Sequence, residues 1–146
     1  LDHRVEGRNK KFLINSDNPA AKSMIASAEI ERRNAVIEKH FIIRKIVSEV
    51  DFEGRMAVLF GSFAKGLENK GSDIDVLLLG SGKQAKKKLE SMGKLYGKKI
   101  QIISMSREDF ILREKREFVR EVMKSHVVLS GADEFVDMLW RAHNAQ

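Results

Sequence analysis

The stretch GSFAKGLENKGSDIDVLLLG, residues 61–80, decides the fold because it places two acids at the head of an apolar run. The sequence predicts one strand over residues 55–60, ended by Gly61, and a second strand over residues 74–79. The second strand is apolar on both faces, which indicates a central position in a sheet. A Gly-Ser turn and an acidic pair would therefore lie at the ends of two buried strands.

The acidic pair consists of Asp73 and Asp75, which are separated by one residue. Alternate residues of a strand face the same side, so the two carboxylates converge while Ile74 points into the core. Carboxylates held this close repel each other unless a cation lies between them. Oxygen ligands suit Mg²⁺, which commonly takes one or two carboxylates together with phosphate oxygens. We therefore interpret the pair as a site for a divalent cation.

The Gly-Ser pair is interpreted as a phosphate cradle. Gly61 permits a sharp turn, and the residues after it can open a helix whose N–H groups face an anion. Ser62 adds a hydroxyl for a phosphate oxygen or the metal, and Lys65 and Gly66 extend the cradle. A phosphate-binding turn at the end of one strand and a pair of metal-binding carboxylates on the next strand suit a nucleoside triphosphate.

Each half of this arrangement also has a simpler interpretation. An Asp-x-Asp triplet is common at solvated strand ends, and a Gly-Ser pair often marks only a turn. Here the two halves occur together with a predicted strand on each side, and this combination favours a functional site.

The combined pattern resembles the minimal nucleotidyltransferases of the DNA polymerase beta-like superfamily. The residues that carry the resemblance are Gly61, Ser62, Lys65, Gly66, Ser72, Asp73, Ile74 and Asp75. The resemblance extends from about Arg55 to Ile103, and more loosely through HVVLSGADEFVDMLW. The family usually has Arg where this chain has Lys65.

The resemblance implies a nucleotidyltransferase fold and a reaction in which a hydroxyl of a protein or small molecule attacks the α-phosphate of a nucleoside triphosphate. Pyrophosphate leaves, ATP is the expected nucleotide and Mg²⁺ the expected cofactor. The implied nucleotide-binding residues are Gly61, Ser62, Lys65, Gly66 and Ser72, and the implied catalytic and metal-binding residues are Asp73 and Asp75. Some relatives are antitoxins that adenylylate a HEPN toxin, so such a toxin is a candidate partner.

The third carboxylate implied by the resemblance is absent from the next strand, KKIQIIS, where Gln101 aligns best. An amide oxygen can touch a metal, but it is uncharged and cannot take a proton at neutral pH. Since two-metal chemistry needs negative ligands, the chain would then be a weak or inactive catalyst. Alternatively, Gln101 is an ordinary strand residue and the third acid lies elsewhere; the nearby acids are Glu68, Glu108 and Asp109.

The amino-terminal segment LDHRVEGRNKKFLIN resembles the wing of a winged-helix DNA-binding domain. Two short strands with a turn around residues 6–9 are predicted. Arg4, Arg8, Lys10 and Lys11 would meet backbone phosphates, which makes double-stranded DNA a candidate partner. The alternatives are a solvated hairpin or an arm that pairs with a second subunit in a homodimer. Because position 1 is Leu, we expect a truncated winged-helix domain.

The predicted organisation is a hairpin over residues 1–16, one or two connecting helices over 17–50, and a nucleotidyltransferase domain over 51–146. Asp17 or Asn18 can cap the first helix, and Pro19 fits its first turn. The remaining predicted elements are helices at 85–96, 106–113, 116–125 and 133–141, and strands at 99–104 and 127–130. Strands and helices alternate, so the fold class is α/β (α+β), a small mixed sheet flanked by helices.

Amino-acid composition excludes some classes of functional site and favours certain partners. The 146 residues contain no cysteine, which excludes thiolate metal sites and cysteine nucleophiles. The four histidines (His3, His40, His126 and His143) have no ligand spacing. The net charge of +6 favours polyanionic partners, although the lysines of residues 83–94 fit a solvated helix face. The apolar runs are too short to span a bilayer and no secretory signal is present, so we expect a cytoplasmic protein without membrane contacts.

Two functions therefore remain. The first is an enzyme that transfers a nucleotide, favoured by the intact Gly-Ser and Asp-x-Asp halves. The second is a weak or inactive relative that binds DNA as a transcriptional regulator, favoured by Gln101.

Overall fold

The computed structural model describes residues 2–6, 9–13, 18, 20–80, 82–112 and 116–144, with side chains described from residue 18 onward. The elements in chain order are β1 (Asp2–Glu6), β2 (Asn9–Leu13), α1 (Ala21–Lys39), α2 (Phe41–Glu49), β3 (Met56–Phe60), α3 (Gly61–Lys65), β4 (Ile74–Leu79), α4 (Lys83–Tyr96), β5 (Ile100–Met105), α5 (Arg107–Leu112), α6 (Glu117–Lys124), β6 (Val127–Ser130) and α7 (Ala132–Asn144).

The main sheet has four strands in the order β5-β4-β3-β6. β4 pairs antiparallel with β3 and parallel with β5, and β6 closes the other edge antiparallel to β3. β4 is buried along its whole length except at Asp75, as its continuous apolar run predicts. The mixed sheet with flanking helices confirms the predicted fold class.

Helices cover both faces of this sheet and form two apolar cores. On one side, which we call the α2–α4 face, α2 and α4 pack on alternate strand residues; its members include Ile43, Ile46, Leu59, Val76, Leu89 and Met92. On the opposite side, the α5–α7 face, the core includes Val58, Leu77, Phe110, Val119, Val122 and Phe135. Because strand side chains alternate, neighbouring residues of β4 belong to different cores.

The segment between residues 20 and 50 forms two helices, which resolves the alternative left open by the sequence. They meet at His40, whose backbone is extended at φ −125° and ψ 111°. Asn18 accepts a hydrogen bond from the backbone N–H of Ala20 at 2.9 Å. It is not the N-cap, however, because the N-cap position of α1 is Ala20, which makes no side-chain cap hydrogen bond. Asp17 and Pro19 lie outside the described residues. No described helix is long and apolar enough to cross a membrane.

α1 packs against α7 and β6 and is tied to the sheet by a buried polar pair. Glu29 Oε1 and His126 Nε2 are 3.0 Å apart, and each residue is only 7 % exposed. Arg32 adds a hydrogen bond to the backbone carbonyl of His126 at 3.3 Å. Since buried polar groups need partners, this network fixes where α1 lies on the domain.

The amino-terminal hairpin forms as predicted, with β1 antiparallel to β2. Arg4 is the register partner of Lys11, and Val5 is the partner of Lys10. Arg8 lies outside the described residues. The identification of this hairpin as a DNA-binding wing stays a prediction, as do the three domain boundaries.

Candidate active site

Asp75 is the second residue of β4 and lies on the α5–α7 face, and Asp73 directly precedes the strand. Ile74 and Val76 point into the α2–α4 core and are fully buried, which fixes the alternate residue Asp75 on the other side. Both aspartates are only partly buried. The sheet therefore presents two carboxylates from one short segment at a solvent-accessible edge.

The environment of Asp75 favours a bound cation. Burial raises the pKa of Asp75 above its usual range, and the nearby negative charge of Asp73 raises it further. A divalent cation would relieve both effects, because it compensates the lost hydration and screens the repulsion. Two hard carboxylate ligands side by side are a donor set that fits Mg²⁺.

The turn after β3 lies directly against this carboxylate. Phe60 is the register partner of Asp75, and the next residue, Gly61, has a left-handed backbone with φ +71°. A Cβ atom built on Gly61 would lie 2.2 Å from Asp75 Oδ2. Only glycine fits here, both for the backbone conformation and for the space.

α3 starts at this turn and is one short helix of five residues. Ser62 lies in its first turn, partly buried, and Phe63 anchors the helix in the α2–α4 core. The helix ends at Gly66, which adopts the left-handed conformation (φ +73°) and donates its N–H to the carbonyl of Ser62. The segment predicted to be a phosphate cradle is therefore a short helix that begins beside Asp75.

Ser72 closes the loop that leads into the acidic pair. Its hydroxyl accepts a hydrogen bond from the backbone N–H of Asn69 at 2.9 Å. Asn69 in turn accepts the N–H of Gly71 on its side-chain oxygen at 2.9 Å. The contacts that the structure describes therefore give Ser72 a structural role in this loop.

Lys65 contacts a residue that sequence reasoning missed. Its Nζ lies 3.6 Å from Glu121 Oε2 on α6, and Glu121 also pairs with Lys124 at 3.3 Å. The hydrogen bond and charge of Lys124, together with the charge of Lys65, lower the pKa of Glu121. Lys65 and Glu121 therefore form a largely exposed ion pair between α3 and α6. No local pattern signals this contact, which arises only when α6 packs on the sheet.

Gln101 lies beside Asp75, on the adjacent strand. The two residues are register partners in the parallel β4–β5 pair. Ile100 and Ile102 pack toward the α2–α4 core, so Gln101 is on the α5–α7 face with Asp75, and its side chain is exposed. Gln101, the position expected to carry a third acid, is thus adjacent to Asp75 in space.

The other acids considered as substitutes lie elsewhere. Glu68 pairs with His40 and Lys39 near the opposite face. Glu108 and Asp109 are in the first turn of α5, beyond the far end of β5. Among the residues that the structure describes, no group of three or more His, Asp or Glu side chains could hold a metal ion.

Comparison with known proteins identifies the family. The model of the nucleotidyltransferase domain family matches residues 42–130, more than half of the chain, and the chain belongs to this family. The matched range includes the Gly61 turn, the acidic pair and Gln101. No curated protein matches the chain.

One solved structure that the chain was matched to is described as "Crystal structure of the toxin-antitoxin with AMP-PNP". Its sequence is 16 % identical, the match covers 71 % of this chain and 85 % of that chain, and the TM-score is 0.45.

Proposed function

We propose that this protein binds a nucleoside triphosphate with Mg²⁺ at the site formed by Gly61, Ser62, Asp73 and Asp75, and transfers a nucleotide to a hydroxyl group. The observation that carries the proposal is the contact between the Gly61 turn and the Asp75 carboxylate. It supports the proposal because the turn proposed to bind phosphate lies directly against one of the two proposed metal ligands. The family match is consistent with the same chemistry.

Each residue has a defined task in this proposal. Asp73 and Asp75 hold Mg²⁺, which when bound would offset negative charge on the phosphates. The backbone N–H groups at the start of α3 and the hydroxyl of Ser62 bind phosphate oxygens. Lys65 exchanges its contact with Glu121 for one with the triphosphate, and Gly66 and Ser72 keep the cradle and the loop in place.

Transfer is expected to be slow. The attacking hydroxyl must lose a proton, and the position beside Asp75 on β5 is occupied by the amide of Gln101. An amide does not take a proton at neutral pH. General-base assistance is typically worth about 10²–10⁴-fold in rate, so native turnover should fall short of a fully equipped enzyme by a factor of this order.

We further propose ATP as the nucleotide and AMP as the group transferred, with a protein acceptor. The resemblance to antitoxin relatives favours a HEPN toxin as that acceptor and an antitoxin role for this chain. These assignments rest on the motif that includes Ser72, Asp73 and Asp75, and they are separable from the binding of Mg²⁺ and nucleotide.

A second candidate function is DNA binding as a transcriptional regulator. The observation that favours it is the amino-terminal hairpin, in which Arg4 and Lys11 are register partners and Lys10 is adjacent. Such a concentration of cations suits a phosphate backbone. The two functions are compatible, because the hairpin and the Gly61–Asp75 site are different parts of the chain.

Label transfer tests the enzymatic proposal. The protein is incubated with Mg²⁺, nucleoside triphosphates labelled at the α-phosphate, and the protein encoded beside it as acceptor. We expect slow, Mg²⁺-dependent labelling of the acceptor that is strongest with ATP and absent from the variant Asp73→Asn/Asp75→Asn. Labelling that persists in this variant would place the chemistry elsewhere.

A further inference from the structure

A cavity lies at the same end of the sheet as Asp75 but beside the α2–α4 face. Its volume is about 450 Å³, within the range of small-molecule sites. It is bounded by the α1–α2 junction, α3, the loop after α3, and the segment around Tyr96 and Lys98. Phe63, which lines it, belongs to the α2–α4 core, whereas Asp75 is on the other face of β4. We call it the His40–Glu68 cavity.

The cavity contains a buried carboxylate oxygen without a partner. The Glu68 side chain is only 12 % exposed, and its Oε1 accepts contacts from His40 Nε2 at 2.8 Å and Lys39 Nζ at 3.5 Å. Its Oε2 is buried and has no hydrogen-bond partner within the part of the chain that the structure describes. A buried acceptor left unsatisfied is costly, so a ligand that donates one hydrogen bond would be stabilised here.

Glu68 is ionised in this setting. A hydrogen bond from its own backbone N–H lowers the pKa of Glu68, and the charges of Lys39 and His40 act in the same direction, against the opposing effect of burial. The vacant acceptor therefore carries negative charge at neutral pH. It selects an N–H or O–H donor over an acceptor group.

The walls of the cavity suit a flat aromatic ligand. Phe41 is 56 % exposed although it is a large apolar side chain, and its ring meets that of Tyr96 at 6.0 Å between centroids. His40 packs edge-on against Phe63 at 5.1 Å. Phe41, the exposed ring among these, provides a stacking surface for a heterocycle, with Lys45 Nζ 5.5 Å from its centroid.

The rim of the cavity is cationic. Lys39, Lys70 and Lys98 line it, and Lys98 Nζ donates to the carbonyl of Lys70 at 3.2 Å and lies 5.6 Å from the centroid of the Phe63 ring. Three lysines beside one carboxylate repel a cationic ligand and attract an anionic group. The required ligand thus combines an aromatic heterocycle, a hydrogen-bond donor on its edge, and a negative charge.

We propose that the His40–Glu68 cavity is a binding site for a nucleoside monophosphate whose base carries an exocyclic amino group. The amino group donates to Glu68 Oε2, the base packs against Phe41 and Tyr96, and the phosphate lies among the lysines of the rim. This site goes beyond the proposed function: it is separated from the Gly61–Asp75 site by the sheet and needs no divalent cation.

Calorimetry with AMP in the presence of EDTA tests this site without involving the metal site. We expect one AMP to bind per chain, both to the native protein and to Asp73→Asn/Asp75→Asn. Purine riboside 5′-monophosphate, which lacks the amino group, should bind at least about tenfold more weakly, since a hydrogen bond to a charged group is lost. Glu68→Gln should weaken AMP binding to a similar extent. The matched control Glu90→Gln, which changes an exposed residue of α4, should leave AMP binding unchanged.

A second variant tests the same site in case the Glu68→Gln protein does not fold. Phe41→Leu leaves the Glu68 contacts in place and should weaken AMP by at least about fivefold through lost stacking. In an amide NMR spectrum, AMP should shift the resonances of residues 68–70 and 96–98. The proposal is overturned if the native chain does not bind AMP without metal, if the two monophosphates bind equally, or if the shifts cluster at residues 61–62 and 73–75.

Discussion

Oδ2 of Asp75 occupies the space into which a side chain at position 61 would project, 2.2 Å from the place of a Cβ on Gly61. The relationship links two strands, because Gly61 follows β3 and Asp75 belongs to β4. The position of the turn and the position of the Asp75 carboxylate therefore depend on each other. A residue that moved the turn would also displace the carboxylate.

Gly61→Ala should therefore destabilise the protein and weaken nucleotide binding. The left-handed backbone alone costs a residue other than glycine about 1–2 kcal/mol, and the contact with Asp75 adds to this. Gly54→Ala is a matched control, since Gly54 has φ +72° but no described heavy atom within 4 Å of its Cβ position. Urea unfolding should show a larger loss for Gly61→Ala, with at least about tenfold weaker binding of Mg-ATP. Equal losses of stability in the two variants, with normal binding of Mg-ATP to Gly61→Ala, would contradict the importance of the contact between Gly61 and Asp75.

Asp75→Asn should stabilise the metal-free protein at neutral pH, by about 1 kcal/mol or less because the group is partly exposed. The pKa of Asp75 is raised in the folded state, so its ionisation opposes folding. The free energy of unfolding of the native chain should fall as pH rises from the ordinary carboxyl range through the raised pKa. The advantage of Asp75→Asn should therefore shrink as pH is lowered, and Mg²⁺ should stabilise the native chain but not the variant.

Asp137→Asn provides a control of opposite sign. A hydrogen bond from Lys22, aided by the charges of Arg141 and Lys22, lowers the pKa of Asp137. Its ionised form therefore favours folding, so Asp137→Asn should destabilise the protein at neutral pH and have less effect in acid. If both variants changed stability in the same direction across the pH range, the interpretation of Asp75 would be wrong.

Several features could be predicted from the sequence because they depend on local periodicity. The apolar run of β4 indicated its central position, and the period of two in β5 placed Gln101 on the same face as Asp75. Gly97 marked the end of α4, where it adopts the left-handed conformation. These features require only knowledge of which side of an element a residue faces.

Other features depend on how distant elements pack, and no local pattern reveals them. The contact of Lys65 with Glu121 joins α3 to α6, and that of His40 with Glu68 joins the α1–α2 junction to a loop. The sequence suggested Glu68 as a substitute metal ligand because it is close to Asp73 along the chain. In the structure, its partners are a histidine and a lysine near the opposite face of the sheet.

Gln101→Glu or Gln101→Asp should raise nucleotide transfer by up to about 10²–10⁴-fold, since either supplies the missing negative charge and proton acceptor. Gln101→Glu keeps the side-chain length, and Gln101→Asp is one methylene shorter. A third acid should also cost stability without metal, through repulsion with Asp75, and recover it with Mg²⁺. Single-turnover label transfer measures the gain, which Asp73→Asn should abolish. Rapid turnover by the native chain that neither substitution improves would show that the base lies elsewhere.

One variant neutralises the cations of the hairpin by changing Arg4, Arg8, Lys10 and Lys11 each to Gln. It should bind duplex DNA more weakly and with a smaller salt dependence, because each phosphate contact releases counterions. The matched control neutralises four exposed lysines of α4 (Lys86, Lys87, Lys88 and Lys94), which removes the same charge. Fluorescence anisotropy with labelled duplex DNA, measured over a range of salt concentrations, compares the affinity of the hairpin variant with that of the α4 variant. Equal effects of both sets would mean that only net charge matters and that the hairpin is not a specific contact.

The most direct measurement of the central claim is calorimetric titration of ATP into the native chain and into Asp73→Asn/Asp75→Asn, with and without Mg²⁺. The control Asp109→Asn/Asp133→Asn removes two exposed acids from other helices. We predict that the native chain and the control bind ATP in a manner that requires Mg²⁺. The Asp73→Asn/Asp75→Asn protein should stay folded and lose at least about a hundredfold in affinity, because both charged ligands are gone. An unchanged affinity for Mg-ATP in that variant would contradict the account.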